Sequence, residues 1–330
     1  MRHRSTEMKQ GSVAVIFAGE ARGDERVWSN IRTNLIVQTR ADAFAALWNT
    51  PAAECFWRNV AGPHAHLRRS RQLLLVEPLL PRNTSFDNAS NEEIALAFGL
   101  NPRREDGMLA RPQVRRVLPQ YYMVRLAFQL VRETAHEVLV RARSDVIFDW
   151  PIMLRLAAAD AVHVEAGRWE VRAHELAMYG PGTCGSMPND WFAFGKRAPM
   201  ASYARMLDAA GEWYPLLRHD PSLKDWRKVW FGAAHGVRPN NSFLNNQEGM
   251  LGFYLRWAGV PCALVDAGLR LCRWRAVAGA ATLPPGASLA AACAALGTTN
   301  RALSHEPDED QWCSRKLVLN PPGVRLYEFK

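Results

Sequence analysis

Residues Glu137 to Trp150 read E-V-L-V-R-A-R-S-D-V-I-F-D-W. Val138, Leu139 and Val140 are apolar in succession, the composition of a strand covered on both faces. Charge then enters abruptly, with Arg141, Arg143 and Asp145 at period two. In an extended chain these three side chains leave one face, and Val140, Ala142 and Ser144 leave the other. A charge buried without a partner is costly, so the arginines and the aspartate need partners. Either they pair with each other, or the strand ends in a cleft that binds a charged ligand. In open α/β sheets ligands sit beyond the carboxyl ends of the strands. The stretch by itself is compatible with both readings.

Working outward, Ser12 to Ala18 is a second apolar run, closed by Gly19 and a tight turn through Gly23. Asp24 is placed to cap a helix reaching about Thr39, with Val27, Ile31 and Leu35 recurring every fourth residue. Further strands are expected at Ala41 to Leu47, Gln72 to Glu77, Ala161 to Val164 and Val260 to Val265. The clearest helix is Gln120 to Glu133, where Met123, Leu126, Ala127, Leu130 and Val131 form one stripe. Other helices are expected at Ile152 to Ala159, Pro199 to Ala210 and Gly249 to Ala258. Strands alternating with helices predict an α/β fold with a largely parallel sheet.

The organisation expected is a polar N-terminal extension at 1–11 and one catalytic domain at 12–275. A linker rich in Ala, Gly and Pro and a C-terminal appendage would occupy 276–330. Within the domain, 81–116 is rich in Asn, Arg, Glu and Pro and reads as a surface insertion with a short helix at Glu92 to Phe98. No internal repeat is visible.

Of 330 residues, 48% are hydrophobic and 22% charged, which permits a full core. Lys plus Arg exceeds Asp plus Glu by 41 − 32 = 9. That balance suits phosphate-bearing partners: nucleotides, nucleic acid or an anionic membrane surface. The six cysteines form no C-x-x-C pair and have no histidine at zinc-site spacing, so reduced, buried thiols are expected. The amino terminus is too polar for a signal peptide, and no apolar run approaches ~18 residues. A soluble, cytoplasmic protein is the expectation.

Gly19 to Gly23 offers glycines for close backbone approach and Arg22 as a phosphate partner. G-x-G-x-x-G and the P-loop pattern are absent, as are a G-x-S-x-G elbow and a Cys-His pairing. Arg141 and Arg143 suit phosphate oxygens bidentately, and Asp145 suits Mg²⁺ or Mn²⁺ bridged to a diphosphate. Asp190, beside Trp191, Phe192 and Phe194, has the surroundings of a carbohydrate site: rings for stacking and a carboxylate for a hydroxyl. A turn aspartate with core neighbours explains it equally. Glu248 opens a helix, where dipole stabilisation is sufficient reason for a carboxylate. The basic run His66 to Arg71 lacks the aromatic interleaving of a nucleic-acid face.

In order along the chain stand Gly19 with Arg22, Asp42 with Phe44 and Trp48, and Gln120-Tyr121-Tyr122. Arg141-x-Arg143-x-Asp145, Asp190-x-Phe192-Ala193-x-Gly195 and Glu248 follow. This series resembles GT-A-type glycosyltransferases of bacteria and large DNA viruses, over roughly residues 12 to 272. The resemblance implies a GT-A-like, Rossmann-type three-layer α/β/α fold with a mixed, mainly parallel sheet. It implies transfer of a sugar from a nucleoside-diphosphate donor to a hydroxyl of a glycan or other acceptor. Gly19, Arg22, Gln120, Arg141, Arg143 and Asp145 would bind the donor, and Asp190 and Glu248 would be catalytic. Asp145 would hold a divalent cation (Mn²⁺ or Mg²⁺), although Arg143 stands where related enzymes carry a first aspartate. Nucleic acid is not an expected partner on this reading; a peripheral membrane contact is compatible with it. A nucleotidyltransferase acting on sugar phosphates is the alternative enzyme. A basic module binding nucleic acid or anionic membrane is the alternative outside enzymes.

Overall fold

The computed structural model describes residues 12–61, 71–77, 89–98, 100, 114–152, 161–165, 188, 190–217, 247–265 and 269–271. Its frame is a seven-stranded sheet in the order β3-β2-β1-β4-β7-β6-β8. The strands are β1 (Val13–Gly19), β2 (Asp42–Trp48), β3 (Arg71–Val76), β4 (Val138–Ala142), β6 (Val162–Glu165), β7 (Phe192–Lys196) and β8 (Cys262–Val265). β3, β2, β1 and β4 run parallel, as do β6 and β8, while β7 lies antiparallel to both of its neighbours. β5 (Val146–Phe148) and β9 (Leu269–Leu271) pair separately. The α/β expectation with a mixed, mainly parallel sheet is met.

Apolar residues cover both faces of the central strands, which is why these strands read as unbroken apolar runs. Ala14, Ile16, Phe44, Ala46 and Leu139 share one core with helices α3 (Asn91–Ala97) and α4 (Val114–Leu130). The same core takes in α5 (Arg197–Ala204), α6 (Ala210–Leu217) and α7 (Gln247–Trp257). Val13, Val15, Phe17, Ala45, Val140 and Ala142 share the other with α1 (Glu25–Ile31) and α2 (Pro51–Ala61). There Phe56 meets Phe17 edge-on at 5.0 Å and Trp28 at 5.9 Å, contacts worth about 1 kcal/mol each beyond their buried area.

Several elements differ from the sequence expectation. The helix capped by Asp24 passes into π geometry at Arg32–Val37. Asn30 on α1 and Asn34 in the π segment both reach the Phe148 backbone, supplying hydrogen bonds that β5 lacks on its second side. α2 was not expected; its apolar face of Ala53, Phe56 and Val60 is short and interrupted by polar residues. α4 begins at Val114 and accommodates Pro119, which reads as a helix breaker in the sequence. The helix expected at Pro199 to Ala210 is α5, ending at Ala204. Inside the 81–116 stretch, Ser90 and Glu93 form a capping box that starts α3. Ile94, Ala95 and Leu100 are buried, anchoring the stretch to the core. Cys55 and Cys262 are both disulfide-bonded, which corrects the expectation of reduced thiols. Sequence spacing carries no signal for cysteines that only the fold brings together.

No helix among the described residues is long and apolar enough to cross a membrane. The extension at 1–11, the linker and appendage at 276–330, and the helix expected from Ile152 lie outside the described residues apart from Ile152 itself, which is not helical.

Candidate functional site

After β1 the chain proceeds to β2 and β3 on one side, whereas β4 pairs on the other side of β1. The carboxyl ends of β1 and β4 therefore flank a topological switch point, where open α/β sheets bind ligands. The loops leaving these two ends carry Gly19 to Gly23 and Arg143 to Asp145.

The two loops are joined by one side chain. Ser144 Oγ accepts from the Arg22 backbone N–H at 2.9 Å and donates to the Glu20 carbonyl at 3.0 Å. Trp28 Nε1 donates to the Arg22 carbonyl at 2.8 Å, bracing the loop from α1. Gly23 has φ +98°, and a Cβ there would stand 3.1 Å from Trp28 Nε1 and 3.2 Å from the Val27 side chain. Glycine is required at this turn on both counts. Gly19, at φ +102°, ends β1 with open space around its Cα. The Arg22 side chain is exposed and pairs with Glu20 at 2.8 Å.

The strand-end charges do not share one extended face. β4 ends at Ala142, and Ser144 and Asp145 form a turn before β5. That turn lets Arg143 close on Asp145 bidentately, with Nε to Oδ1 at 2.8 Å and Nη2 to Oδ2 at 2.7 Å. Asp145 is 1% exposed and Arg143 8%.

Arg141 follows Leu139 at period two and so faces the core that includes α4 and α5. It is 1% exposed, and its Nη2 lies 3.6 Å from Oδ2 of Asp190, which is 0% exposed. Asp190 precedes β7, whose Phe192 pairs with Ala142, so the aspartate lies just past the end of β4, within reach of the long Arg141 and Arg143 side chains. Arg143 Nη1 stands 3.8 Å from Asp190 Oδ1, and Gln120 on α4 donates through Nε2 to Asp190 Oδ2. Arg141, Arg143, Asp145, Asp190 and Gln120 thus form one buried cluster, balanced in formal charge.

Hydrogen bonding in the cluster is incomplete. Among the described residues, Arg141 Nε and Nη1 and Asp190 Oδ1 are buried without a hydrogen-bond partner, and the Tyr203 hydroxyl, which lies against the Arg141 guanidinium, lacks a hydrogen bond of good geometry. Each such atom costs about 1–3 kcal/mol. Burial pushes the Tyr203 phenol upward, an effect partly offset by the nearby Arg141 guanidinium.

The structure brings together Gly19, Arg22, Gln120, Arg141, Arg143, Asp145 and Asp190 at or beside one end of the sheet. Glu248 lies in the first turn of α7, and its side chain is outside the described residues. Of the aromatics beside Asp190, Phe192 is core and Phe194 stacks flat on His163 at 4.7 Å, so neither ring is offered to a sugar. Trp191 is half-buried and packs against the same core. Asp42, part of the ordered motif series, stands at the opposite end of the sheet and contacts His136. Sequence reading missed Ser144, which looked like an unremarkable strand residue, and Tyr203, which fitted an apolar helical stripe. Comparison with protein-family models gave no match, and comparison with curated proteins found no similar chain.

A cation bound by Asp145 meets an unfavourable donor set. Both of its oxygens already serve Arg143, and the other buried carboxylate, Asp190, is flanked by two guanidiniums. No group of three or more His, Cys, Asp or Glu side chains suited to a metal occurs among the described residues. Among the described residues, this donor set does not fit a resident divalent cation.

Proposed function

We propose that this protein is a glycosyltransferase of GT-A-like, three-layer architecture, moving a sugar from a nucleoside-diphosphate donor to a hydroxyl acceptor. The observation that carries the proposal is the charged cluster at the switch point, where the loops after β1 and β4 are tied together by Ser144. Apolar strands that end in arginines at that position are suited to an anionic ligand. The ordered motif series adds the sugar chemistry.

On this reading Gly19 lets the donor approach the β1 loop closely, and Arg22 meets it from the exposed side. Arg141 and Arg143 neutralise charge developing on the leaving diphosphate. Asp190 serves the acceptor once Gln120 releases its Oδ2, and Glu248 contributes from the start of α7. Disulfides at Cys55 and Cys262 favour an oxidising compartment over the cytoplasm.

A thermal-shift panel of nucleoside diphosphates, followed by a nucleotide-sugar hydrolysis screen, tests the proposal. One nucleotide should raise Tm and its sugar conjugates should be hydrolysed slowly. Turnover of sugar phosphate with a nucleoside triphosphate would point to nucleotidyl transfer instead. Binding that weakens steeply with salt and ignores Arg143 substitution would mark a basic docking module.

A further inference from the structure

We propose that the outer edge of β3 is a self-association surface, on which two copies of this chain pair antiparallel about a two-fold axis at Leu74. The inference is independent of the transferase reading.

β3 stands at one end of the sheet order and pairs only with β2 among the described residues. The Asn49 N–H donates to the Val76 carbonyl at 2.8 Å, which points the backbone of Val76 at β2. Alternation points Leu74 the same way and turns the N–H and C=O of Leu73 and Leu75 outward. A row of such groups on an apolar strand is a template for another strand, and edges that stay solitary usually carry charge or proline. Leu73 to Val76 carries neither.

The side chains agree with the backbone. Leu73 and Leu75 on one face and Val76 on the other are only partly buried, and Leu74 is 37% exposed. The helices covering the sheet lie further in. Phe56 of α2 reaches Phe17 on β1, and α4 shares its core with Ala14 and Ile16 of β1 and Phe44 and Ala46 of β2.

The strand is complementary to itself, and this selects a second copy as the occupant. Residues 71 to 77 read R-Q-L-L-L-V-E. Antiparallel pairing centred on Leu74 sets Leu73 opposite Leu75 of the second copy, and a basic position, 71, opposite the acidic Glu77 at both ends. The outward-facing backbones of Leu73 and Leu75 then form the hydrogen-bonded pairs. Leu74 meets its own copy in a non-hydrogen-bonded pair, where side chains come closest. Centring on Leu73 or Leu75 instead sets a charge opposite a leucine. Glu77 is exposed and accepts from Asn49 through Oε1 at 2.6 Å, which holds it at the end of the edge. An isologous contact of this kind closes at two copies.

Sedimentation velocity on the full chain, with its disulfides intact, reads the association across a concentration series. One strand pair makes a small interface, so dimer should appear at about 10–100 µM chain. Leu74→Lys sets two ammonium groups opposite each other at the axis and should weaken association at least about tenfold. Glu77→Arg sets like charges together at both ends and should weaken it about fivefold; adding Arg71→Glu should restore it. Leu74→Cys under mild oxidant should give a covalent dimer, because Cα atoms opposed in a non-hydrogen-bonded pair lie about 4.5 Å apart. Leu73→Cys or Leu75→Cys alone should give none. If Leu74→Lys does not fold, Leu74→Cys and Glu77→Arg carry the test.

A monomer at every concentration, a dimer indifferent to Leu74→Lys and Glu77→Arg, or linkage at residue 73 or 75 instead of 74 would each overturn the proposal. Nucleoside-diphosphate affinity, measured alongside, should match between Leu74→Lys and the unchanged chain, since β3 lies two strands from β1. Failure of the dimer therefore leaves the transferase reading standing, and a chain that dimerises as described but binds no nucleotide sinks the transferase alone.

Discussion

The two ends of the sheet use the same residue types and treat them differently. At the amino end, Asp42 starts β2, His136 precedes β4 and Arg197 starts α5. His136 Nε2 lies 2.8 Å from Asp42 Oδ2, and its Nδ1 lies 2.7 Å from Thr134 Oγ1. Thr134 Oγ1 in turn donates to the Val131 carbonyl at 2.8 Å, so its proton is committed and this Thr-His-Asp chain offers no nucleophile. Arg197 donates to the carbonyls of Val131, Thr134 and His136 at 2.8, 2.6 and 2.8 Å, tying down the segment between α4 and β4. At the carboxyl end, Arg141, Asp190 and Tyr203 are equally buried and incompletely hydrogen-bonded. A network that satisfies itself is a structural lock, whereas one that leaves buried donors facing inward stores cost at a site.

The largest expected effect comes from unbalancing the carboxyl-end cluster. Arg141→Met leaves Asp190 short of its nearest cation and should cost about 3–5 kcal/mol in urea unfolding. Adding Asp190→Leu to the same chain should restore most of that loss, because the cluster as built is a net expense to stability. Failure of the second change to rescue would show that the cluster stabilises the fold after all.

The amino-end lock should respond oppositely. Arg197→Ala leaves the carbonyls between α4 and β4 without their donor and should cost about 2–3 kcal/mol. Nucleoside-diphosphate binding by the folded fraction should be unchanged, and Arg197→Lys should restore only part of the stability. Altered ligand affinity in this variant would break the distinction between the ends.

Alkaline titration separates two tyrosines that lie near each other in the helical layer. Burial pushes Tyr254, which donates to the Ser202 carbonyl at 2.6 Å, up to about 12, and pushes Tyr203 upward as well. The unfolded chain releases such protons near pH ~10. The folded state therefore binds more protons between that pH and the folded pKa, and stability falls as pH rises across the window. For Tyr254 the loss should reach about 2 kcal/mol by pH ~12. Tyr254→Phe should flatten that slope, and Tyr203→Phe should remove the part that belongs to the site. A slope untouched by either change would place the titration elsewhere.

The smallest effect tests the bridge between the loops. Ser144→Ala should cost about 1 kcal/mol and speed Arg22 amide exchange about fivefold. Ser144→Thr should keep the protection.

Much of the frame was legible from local composition. β1, β2, β3 and β8 are apolar runs bounded by glycine, proline or charge, and each formed within about two residues of its expected place, while β4 began where expected and ended early at Ala142. α2 was hidden because its apolar face is short, and the start of α4 because Pro119 reads as a stop. Within the site, sequence order placed Arg141, Arg143 and Asp145 together but misjudged their geometry, because the strand ends at Ala142 and a turn follows. Ser144 and Tyr203 carried no local sign of a role.

By itself the sequence determined that apolar strands end in charge at two neighbouring loops, because periodicity and burial are local properties of a strand. Only the tertiary structure decided which charge meets which. Asp190 meets Arg141 because β7 runs antiparallel to β4 and starts at the end of that strand, and Arg143 takes Asp145 because a turn brings them onto one edge. Pairing depends on distances across the sheet, and in a buried site those distances separate a ligand-binding charge from one held by the protein itself.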